Sequence, residues 1–163
     1  MPDMQWESVA FALSEVPHKY GENVHILSDP FQLSRLARLC RKGTVQPEVN
    51  RLVAVLYQDL LHAVVAREFP RRIESIPTRM IDSTERGAYV GEIIDPDTRA
   101  VTVNIARAGA LPSQVCFDAL NAYLNVDGVR QDHFIVARTV DAEEHVTGAS
   151  IGASKIGGPV DGM

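Results

Sequence analysis

Val101-Thr-Val-Asn-Ile-Ala-Arg-Ala-Gly-Ala-Leu-Pro-Ser113 is the stretch of this chain that decides its fold. It begins with alternating β-branched residues, a pattern that is typical of a strand. Arg107, Ala108 and Gly109 follow, and Leu111-Pro112-Ser113 then has the composition of a helix start. We therefore predict a strand, a tight loop and a helix, which is the unit from which parallel α/β sheets are built.

The predicted loop lies where open α/β sheets bind anions. At the carboxyl end of a strand, the N–H groups of the loop and of the next helix point toward a ligand. The next predicted strand ends at Arg138, and neighbouring parallel strands end at the same edge of a sheet. We therefore predict a site for a phosphorylated ligand that is made by Arg107, Ala108, Gly109 and Arg138. Each arginine also has a simpler interpretation, in which Arg107 pairs with a carboxylate on the surface and Arg138 pairs with Asp141 or Glu143.

Length and composition limit the classes of protein that need to be considered. The chain has 163 residues, 45% of them apolar and 23% charged, which suits one globular domain over residues 1–163. A net charge of −5 argues against general binding to nucleic acid. No apolar run reaches the roughly 20 residues that span a bilayer, and the N-terminus lacks the pattern of a signal peptide. We expect a cytoplasmic protein with no membrane and no nucleic-acid partner.

The two cysteines indicate no disulfide framework. Cys40 and Cys116 both stand beside apolar residues in helix-like patterns, so we predict small buried side chains in a reducing compartment. A catalytic thiol is the alternative interpretation. The five histidines show no spacing that is typical of a metal site.

Residues 1–70 form the predicted helical region. A first helix is predicted over Asp3–Ser14, and a second begins at Ser28-Asp29-Pro30 and ends before Gly43. A long helix then runs to about Arg67, and we expect the last two helices to form a hairpin that packs on the sheet. The predicted buried stripe of the long helix consists of Val49, Leu52, Val53, Leu56, Leu60 and Val64.

Residues 71–163 form the predicted α/β core. Strands are predicted over Ile73–Arg79, Ala88–Ile94 and Ala100–Ala106, and the short turn between the last two predicts an antiparallel hairpin. A helix over Pro112–Leu124 and a short buried strand over His133–Ala137 complete a parallel crossover. Val115, Cys116, Ala119, Leu120 and Tyr123 are the predicted inward residues of that helix. The predicted fold is therefore α/β, with a helical N-terminal region on a partly parallel, Rossmann-like sheet.

The segment after Val140 has no clear strand or helix pattern. Gly148–Ser154 is rich in small residues, and neither a strand nor a helix is predicted for it. Lys155 is a possible phosphate contact, although a solvated lysine is the simpler interpretation. The segment also contains three acidic residues, Asp141, Glu143 and Glu144. They have two interpretations as well, a solvated loop or a contribution to a magnesium site.

Two of these motifs resemble the uracil phosphoribosyltransferases, which have the type I phosphoribosyltransferase fold. The family has a buried strand ending in Leu-Arg-Ala-Gly, then a helix, then a strand ending in an arginine before an acidic stretch. Here the first motif is Ile105-Ala-Arg-Ala-Gly109, with alanine in place of leucine, and the second is Ala137-Arg-Thr-Val-Asp-Ala-Glu-Glu144. The resemblance covers most of the chain from about Asp29 onward.

The resemblance implies a phosphoribosyl transfer from 5-phosphoribosyl-1-diphosphate to uracil. The products are UMP and diphosphate, the role is pyrimidine salvage, and Mg²⁺ is the implied cofactor. Arg107 and Arg138 are then diphosphate ligands, no residue is a covalent catalyst, and self-association into a homo-oligomer is expected.

The chain also departs from the family pattern. The family's phosphate loop, a buried strand ending in an acidic residue and then Thr-Gly-Gly, has no full match, and Thr147-Gly-Ala-Ser150 is the nearest sequence. The family's uracil-binding segment has no counterpart either. We therefore expect the N-terminal part of a longer enzyme, inactive by itself. The alternative is a non-catalytic module with this fold that binds a nucleotide or has a regulatory role.

Overall fold

A computed structural model describes residues 12–84 and 86–158 of the chain. The fold is mixed α/β, with three α-helices, one short 3₁₀ helix (Val126–Gly128) and two separate sheets among the described residues. The helix predicted over Asp3–Ser14 lies almost wholly outside those residues. In chain order the elements are α1 (Pro30–Leu39), α2 (Glu48–Glu68), β1 (Arg71–Pro77), β2 (Ala88–Ile94), β3 (Ala100–Ala106), α3 (Ala110–Asn121), β4 (Val129–Val140) and β5 (Val146–Lys155).

The start and end of α1 follow from local sequence, as predicted. The Asp29 carboxylate accepts hydrogen bonds from the backbone N–H groups of Phe31 and Gln32, at 2.7 and 3.1 Å. Pro30 occupies the first turn, where its missing N–H costs nothing. Gly43 adopts a φ of 96° beyond the helix end, a conformation that favours glycine. Cys40 caps the helix and is exposed, so its predicted burial is wrong, because it lies past the packed face.

The long helix α2 is present, but its predicted buried stripe is only partly correct. Leu52 and Ala63 are the buried residues of α2, whereas Leu60 and Val64 are about half exposed, at 46% and 50%. The reason is that α2 packs mainly between α1 and α3 and does not lie flat on a sheet. The expected helix hairpin therefore forms, and it contacts the parallel sheet through α3.

By length and composition alone, α2 would also qualify as a membrane-spanning helix. One such helix is weak evidence, because core helices of other proteins pass the same test. In this fold Asp59 of α2 forms an ion pair with Arg35 of α1. The helix also contributes Leu61 and Val65 to the cluster of buried apolar residues.

The strands predicted over 88–94 and 100–106 are confirmed, and the strand predicted over 73–79 exists but begins and ends two residues earlier, as Arg71–Pro77. The predicted hairpin is wrong. The antiparallel partner of β2 is β1, and β3 belongs to the other sheet. The turn between β2 and β3 is attached to other elements, which separates the two strands. Arg72 of β1 lies 3.3 Å from the Asp95 carboxylate and 3.1 Å from that of Asp97. The Pro96 carbonyl accepts the backbone N–H of Asn125, after α3, at 2.8 Å.

The predicted β3–α3–β4 unit is confirmed. Strands β3 and β4 are parallel, with Ala100 beside Val129 and Ala106 beside Ile135. Leu120, Leu124 and Val129 form the buried cluster under α3. Tyr123 was predicted to point inward but is 61% exposed, because α3 ends at Asn121 and the chain turns after it.

The C-terminal segment contains a strand that the sequence did not predict. The strand β4 is longer than expected, and its outer half pairs antiparallel with β5, in the order β3-β4-β5. Gly148–Ser154, for which no strand was predicted, belongs to β5, and every residue of β5 is exposed. The predicted burial of His133–Ala137 is also only partly correct, since Ile135 is 55% exposed. Backbone pairing, and not burial, is therefore what holds β5.

A buried ion pair fixes the chain after β5 to the sheet. Asp132 is buried, and its carboxylate accepts hydrogen bonds from Arg130 Nη2, at 3.1 Å, and from the backbone N–H of Gly157, at 3.0 Å. Arg130 Nε is also 3.1 Å from this carboxylate, at an angle that makes no hydrogen bond. A Cβ at position 157 would lie 2.3 Å from the Gln131 carbonyl oxygen, so glycine is required for this close approach.

Candidate functional site

The loop after β3 is compact and leads directly into α3. Gly109 donates its N–H to the Ile105 carbonyl, and Ala110 donates to the Arg107 carbonyl, both at 3.1 Å. The peptide bond between Ala106 and Arg107 is cis. A Cβ on Gly109 would lie 3.0 Å from both the Asn104 Cβ and the Ile105 carbonyl oxygen, which is tight. Glycine therefore lets the loop fold back on the strand.

The start of α3 offers fewer free N–H groups than we expected from the sequence. Gly109 precedes the helix without a side-chain cap, and Ser113 begins the helical hydrogen bonds by donating to Gly109. Ala110 is already bonded, and Pro112 has no N–H. Within the described part of the chain, the N–H groups of Ala108 and Leu111 have no acceptor. These two donors and the positive end of the helix dipole are what the backbone offers an anion.

Both arginines of the predicted site are exposed and are not used in ion pairs. Among the residues that the structure describes, no carboxylate lies within 4 Å of the guanidinium of Arg107 or Arg138. The predicted alternative, in which Arg138 pairs with Asp141 or Glu143, is therefore not observed. Asp141 instead accepts the backbone N–H groups of Glu143 and His145, at 3.0 and 2.8 Å.

The sheet register places Arg107 and Arg138 at one edge but at different heights. Ala106 is level with Ile135, so Arg107 is level with Val136 and Arg138 lies two residues farther along β4. At about 3.3 Å per residue this offset is roughly 7 Å. Arg138 thus lies on the part of the β4–β5 hairpin that extends past β3, where Ala149 is its cross-strand partner.

The register separates Lys155 from the two arginines. Lys155 is the last residue of β5 and pairs with His133, three residues before the level of Arg107 on β4. This corresponds to about 10 Å in the direction away from the edge. The prediction of Lys155 as a phosphate contact therefore gains no support from its position.

A row of polar side chains behind the loop was missed at the level of sequence. Asn104 is 4% exposed, and its Nδ2 lies 2.7 Å from His133 Nδ1. Gln131 donates from Nε2 to the Ser113 hydroxyl at 3.0 Å, which joins β4 to the first turns of α3. Alternate polar residues in an apolar strand are the signal that could have revealed this row. The contacts fix the α3 start, and with it the loop, relative to both strands.

The loop closes one end of an open groove that runs along β3. The groove has a volume of about 850 Å³ and lies between β3, α3 and the apolar side of α2. Cys116 of α3 lines it, and burial raises the pKa of this thiol above its ordinary value. A raised pKa lowers the thiolate fraction at neutral pH, which argues against the catalytic-thiol interpretation.

The acidic residues of the β4–β5 turn form a cluster on the surface. Asp141, Glu143 and His145 can each direct one ligand atom to a common point, with these atoms within 4.8 Å of one another. The side chain of His145 is 79% exposed, and Asp141 already accepts two backbone hydrogen bonds. The turn therefore has the character of a solvated acidic loop, the simpler of the two interpretations.

Comparison with known proteins gives a likeness of fold. The chain is similar to the structure of the AQ2163 protein from Aquifex aeolicus, with a TM-score of 0.55 and 13% sequence identity. The match covers 79% of this chain and 53% of that chain, so this chain spans about half of that protein's length. At this identity the similarity concerns the fold alone. No protein-family pattern and no curated protein matches the sequence.

Proposed function

We propose that this chain carries the leaving-group side of a phosphoribosyltransferase site. In the proposed reaction, 5-phosphoribosyl-1-diphosphate transfers its phosphoribosyl group to uracil and yields UMP and diphosphate. The observation that carries the proposal is the loop Arg107-Ala108-Gly109, which joins a parallel strand to the start of α3 and has an exposed arginine free of carboxylates. The choice of uracil depends on the resemblance of the two arginine motifs.

The chemistry of this transfer matches what the loop can supply. The bond between the ribose carbon and the diphosphate oxygen breaks, while a bond from the same carbon to a base nitrogen forms and the proton of that nitrogen passes to the solvent. Negative charge grows on the departing diphosphate, so fixed positive groups near it lower the barrier. Arginine suits this role because its planar fork binds two phosphate oxygens and stays charged. The free N–H groups of Ala108 and Leu111 would add donors from the backbone.

The described residues near the loop do not form a site for the implied Mg²⁺. This ion prefers carboxylate and phosphate oxygens. Among residues 12–84 and 86–158, the side chains that could hold a metal together are Asp141, Glu143 and His145, which lie on the turn between β4 and β5 and not at the loop. We therefore assign no step to a metal held by this chain. Magnesium bound to the diphosphate itself would arrive with the substrate.

Calorimetric titration of 5-phosphoribosyl-1-diphosphate, with magnesium present, tests the proposal. Charge-assisted hydrogen bonds contribute about 1.5–3 kcal/mol, so Arg107→Ala is expected to weaken binding by roughly 10- to 100-fold. Arg138→Ala should weaken binding less, because its position is farther along the hairpin. Arg99→Ala is the matched control, since it removes the same charge at the other end of β3.

The controls separate a specific site from general attraction between charges. Equal losses for Arg107→Ala and Arg99→Ala would contradict the site. Inorganic diphosphate should compete with the sugar phosphate, because both offer the same oxygens to Arg107. No binding by a folded wild-type chain would also count against the proposal.

A second function, binding without turnover, is favoured by one observation. Thr147-Gly148-Ala149, the nearest sequence to a phosphate loop, lies in the exposed strand β5 and forms no loop around a ligand. We expect this chain to bind the diphosphate but to produce no UMP by itself. Release of UMP when uracil is added would rule out the non-catalytic module.

A further inference from the structure

The two halves of α3 are held in different ways. The second half joins the buried apolar cluster through Phe117 and Leu120. The first half is attached through Ser113, which is buried and whose hydroxyl accepts a hydrogen bond from Gln131 Nε2 of β4 at 3.0 Å. At about 1.5 Å per residue, Ser113 lies roughly 10 Å from Leu120 along the helix axis. The position of the helix start therefore depends on a polar contact more than on the apolar core.

Polar side chains of the sheet face the first half of α3. Gln131 and His133 lie two residues apart on β4 and so point to the same side of the sheet. Asn104 of β3 lies beside His133, with its Nδ2 2.7 Å from His133 Nδ1. A buried hydrogen bond adds little net stability over apolar groups of the same shape, but it requires a defined angle between donor and acceptor. The bond between Gln131 and Ser113 therefore contributes orientation more than stability.

Ser113 belongs to the same helical turn as the backbone donors of the proposed anion site. Its own N–H donates to the Gly109 carbonyl at 3.0 Å, and Leu111 lies between these two residues. Within the described part of the chain, the N–H groups of Leu111 and Ala108 have no acceptor. A hydrogen bond weakens steeply when its angle at the hydrogen falls below about 120°. A rotation of this turn would therefore aim both N–H groups away from an anion that Arg107 holds.

We propose that Gln131 is a positioning residue for the diphosphate of the ligand. Through Ser113 it holds the first turn of α3 in the orientation in which the N–H groups of Ala108 and Leu111 meet the same diphosphate as the Arg107 guanidinium. Gln131 acts through the helix start and does not contact the ligand. This inference rests on the proposed function, because it concerns the same anion.

Calorimetric titration of inorganic diphosphate into the full chain tests the inference. Gln131→Met keeps the approximate length of the side chain but removes the donor, and Ser113→Ala removes the acceptor. Each change should weaken binding roughly twofold to tenfold, the equivalent of one hydrogen bond. The double variant should lose no more than the larger single loss, because either change already breaks the bond.

Gln114→Met is the matched control on the outer face of α3. Gln114 is exposed, and its Nε2 donates to the Asp118 carboxylate at 2.8 Å, one turn along the same helix. The change therefore removes a hydrogen bond from the residue next to Ser113 without touching the attachment to β4. Its affinity for diphosphate should equal that of the wild type. Circular dichroism shows whether each variant folds, and Ser113→Ala, which deletes a single oxygen, keeps the test open if Gln131→Met does not fold.

Nitrogen–proton NMR spectra separate a positioning role from a structural one. Saturating diphosphate should shift the backbone resonances of Ala108 and Leu111 and the side-chain Nε resonance of Arg107 in the wild type. In Gln131→Met the Arg107 resonance should still shift, whereas the two backbone resonances should shift clearly less. A residue with a merely structural role would change the free energy of unfolding and leave these shifts as they are.

The outcomes distinguish this inference from the proposed function. If folded Gln131→Met and Ser113→Ala bind diphosphate as tightly as the wild type, the inference is overturned and the proposed function stands. Additive losses in the double variant, an equal loss in Gln114→Met, or unchanged backbone shifts in Gln131→Met would overturn the inference too. A folded wild-type chain that binds no diphosphate would overturn the proposed function, and this inference with it.

Discussion

At the scale of single residues, the clearest feature is the buried pair of Arg130 and Asp132. Their side chains are 14% and 6% exposed, and the carboxylate also holds the N–H of Gly157. A buried charge is tolerated because its partner and its hydrogen bonds replace water. The pair thus connects the middle of β4 to the chain after β5.

Asp132→Ala is expected to destabilise the protein strongly. The change leaves the Arg130 guanidinium buried without a counter-charge and frees the backbone after β5, which costs about 3–5 kcal/mol in the free energy of unfolding. Urea denaturation followed by circular dichroism measures it. Asp127→Ala, at an exposed acidic residue, should stay within about 0.5 kcal/mol of the wild type. The pair would have no such role if the double variant Arg130→Met/Asp132→Leu were as unstable as Asp132→Ala.

At the scale of elements, the start of α1 shows that a single side chain can determine where a helix begins. Asp29 satisfies two backbone donors that would otherwise have no partner inside the helix. The ring of Pro30 fixes the φ of Pro30 itself near the helical value. These signals are local, so they are visible in the sequence and the helix begins where they predict.

Asp29→Ala should lower the free energy of unfolding by about 1 kcal/mol, because the cap is lost. Asp29→Asn keeps an oxygen acceptor at the same place and should lose only a few tenths of a kcal/mol. Thermal unfolding monitored by helix ellipticity compares the two variants. Equal losses would show that the charge of Asp29, and not its hydrogen bonds, holds the helix start.

Elements whose signals are local were predicted, and those that depend on distant partners were not. Ala88–Ile94 and Ala100–Ala106 were assigned to the correct residues, yet their pairing was wrong, because the attachments of Arg72 and Asn125 to the turn are contacts far apart in sequence. The small residues of Gly148–Ser154 lacked the apolar alternation of a half-buried strand. The β5 strand exists because β4 offers an open edge for it.

In the candidate site, too, features with local sequence signals were predicted, and features that depend on the pairing of distant strands were not. The loop at Arg107 followed from the strand, glycine and proline pattern, and Arg138 followed from the end of the next strand. The polar row of Asn104 and His133 depends on the register of two strands, which no single segment reveals. The heights of Arg138 and Lys155 relative to the loop depend on that register as well.

At the scale of the whole molecule, a small core joins both sheets to the helices. Leu120, Leu124 and Val129 form its centre, and α2, β2 and β3 contribute the surrounding apolar residues: Leu61, Val65, Phe69, Ile94 and Ala100. No large side chain among the described residues is fully buried. Stability therefore depends on few apolar contacts, and the loss of any one of them weakens the packing of the helices and of both sheets.

Leu120→Ala should reduce the free energy of unfolding by about 2–5 kcal/mol, because it leaves a cavity at the centre of this core. Leu60→Ala removes the same atoms from a position that is 46% exposed and should cost under about 1 kcal/mol. Chemical denaturation at one fixed protein concentration compares them. Similar losses for the two variants would mean that the helices and sheets do not share one core.

The close approach at Gly157 has a consequence for how this sequence can drift. Any side chain there would meet the Gln131 carbonyl at 2.3 Å, and moving away would take the N–H of Gly157 off the Asp132 carboxylate. Ile156, one residue earlier, is 52% exposed. In a library in which both positions vary freely, selection for a folded product should keep glycine at position 157 and accept many residues at position 156. Sequencing the folded variants should show glycine at position 157 in nearly all of them and many different residues at position 156.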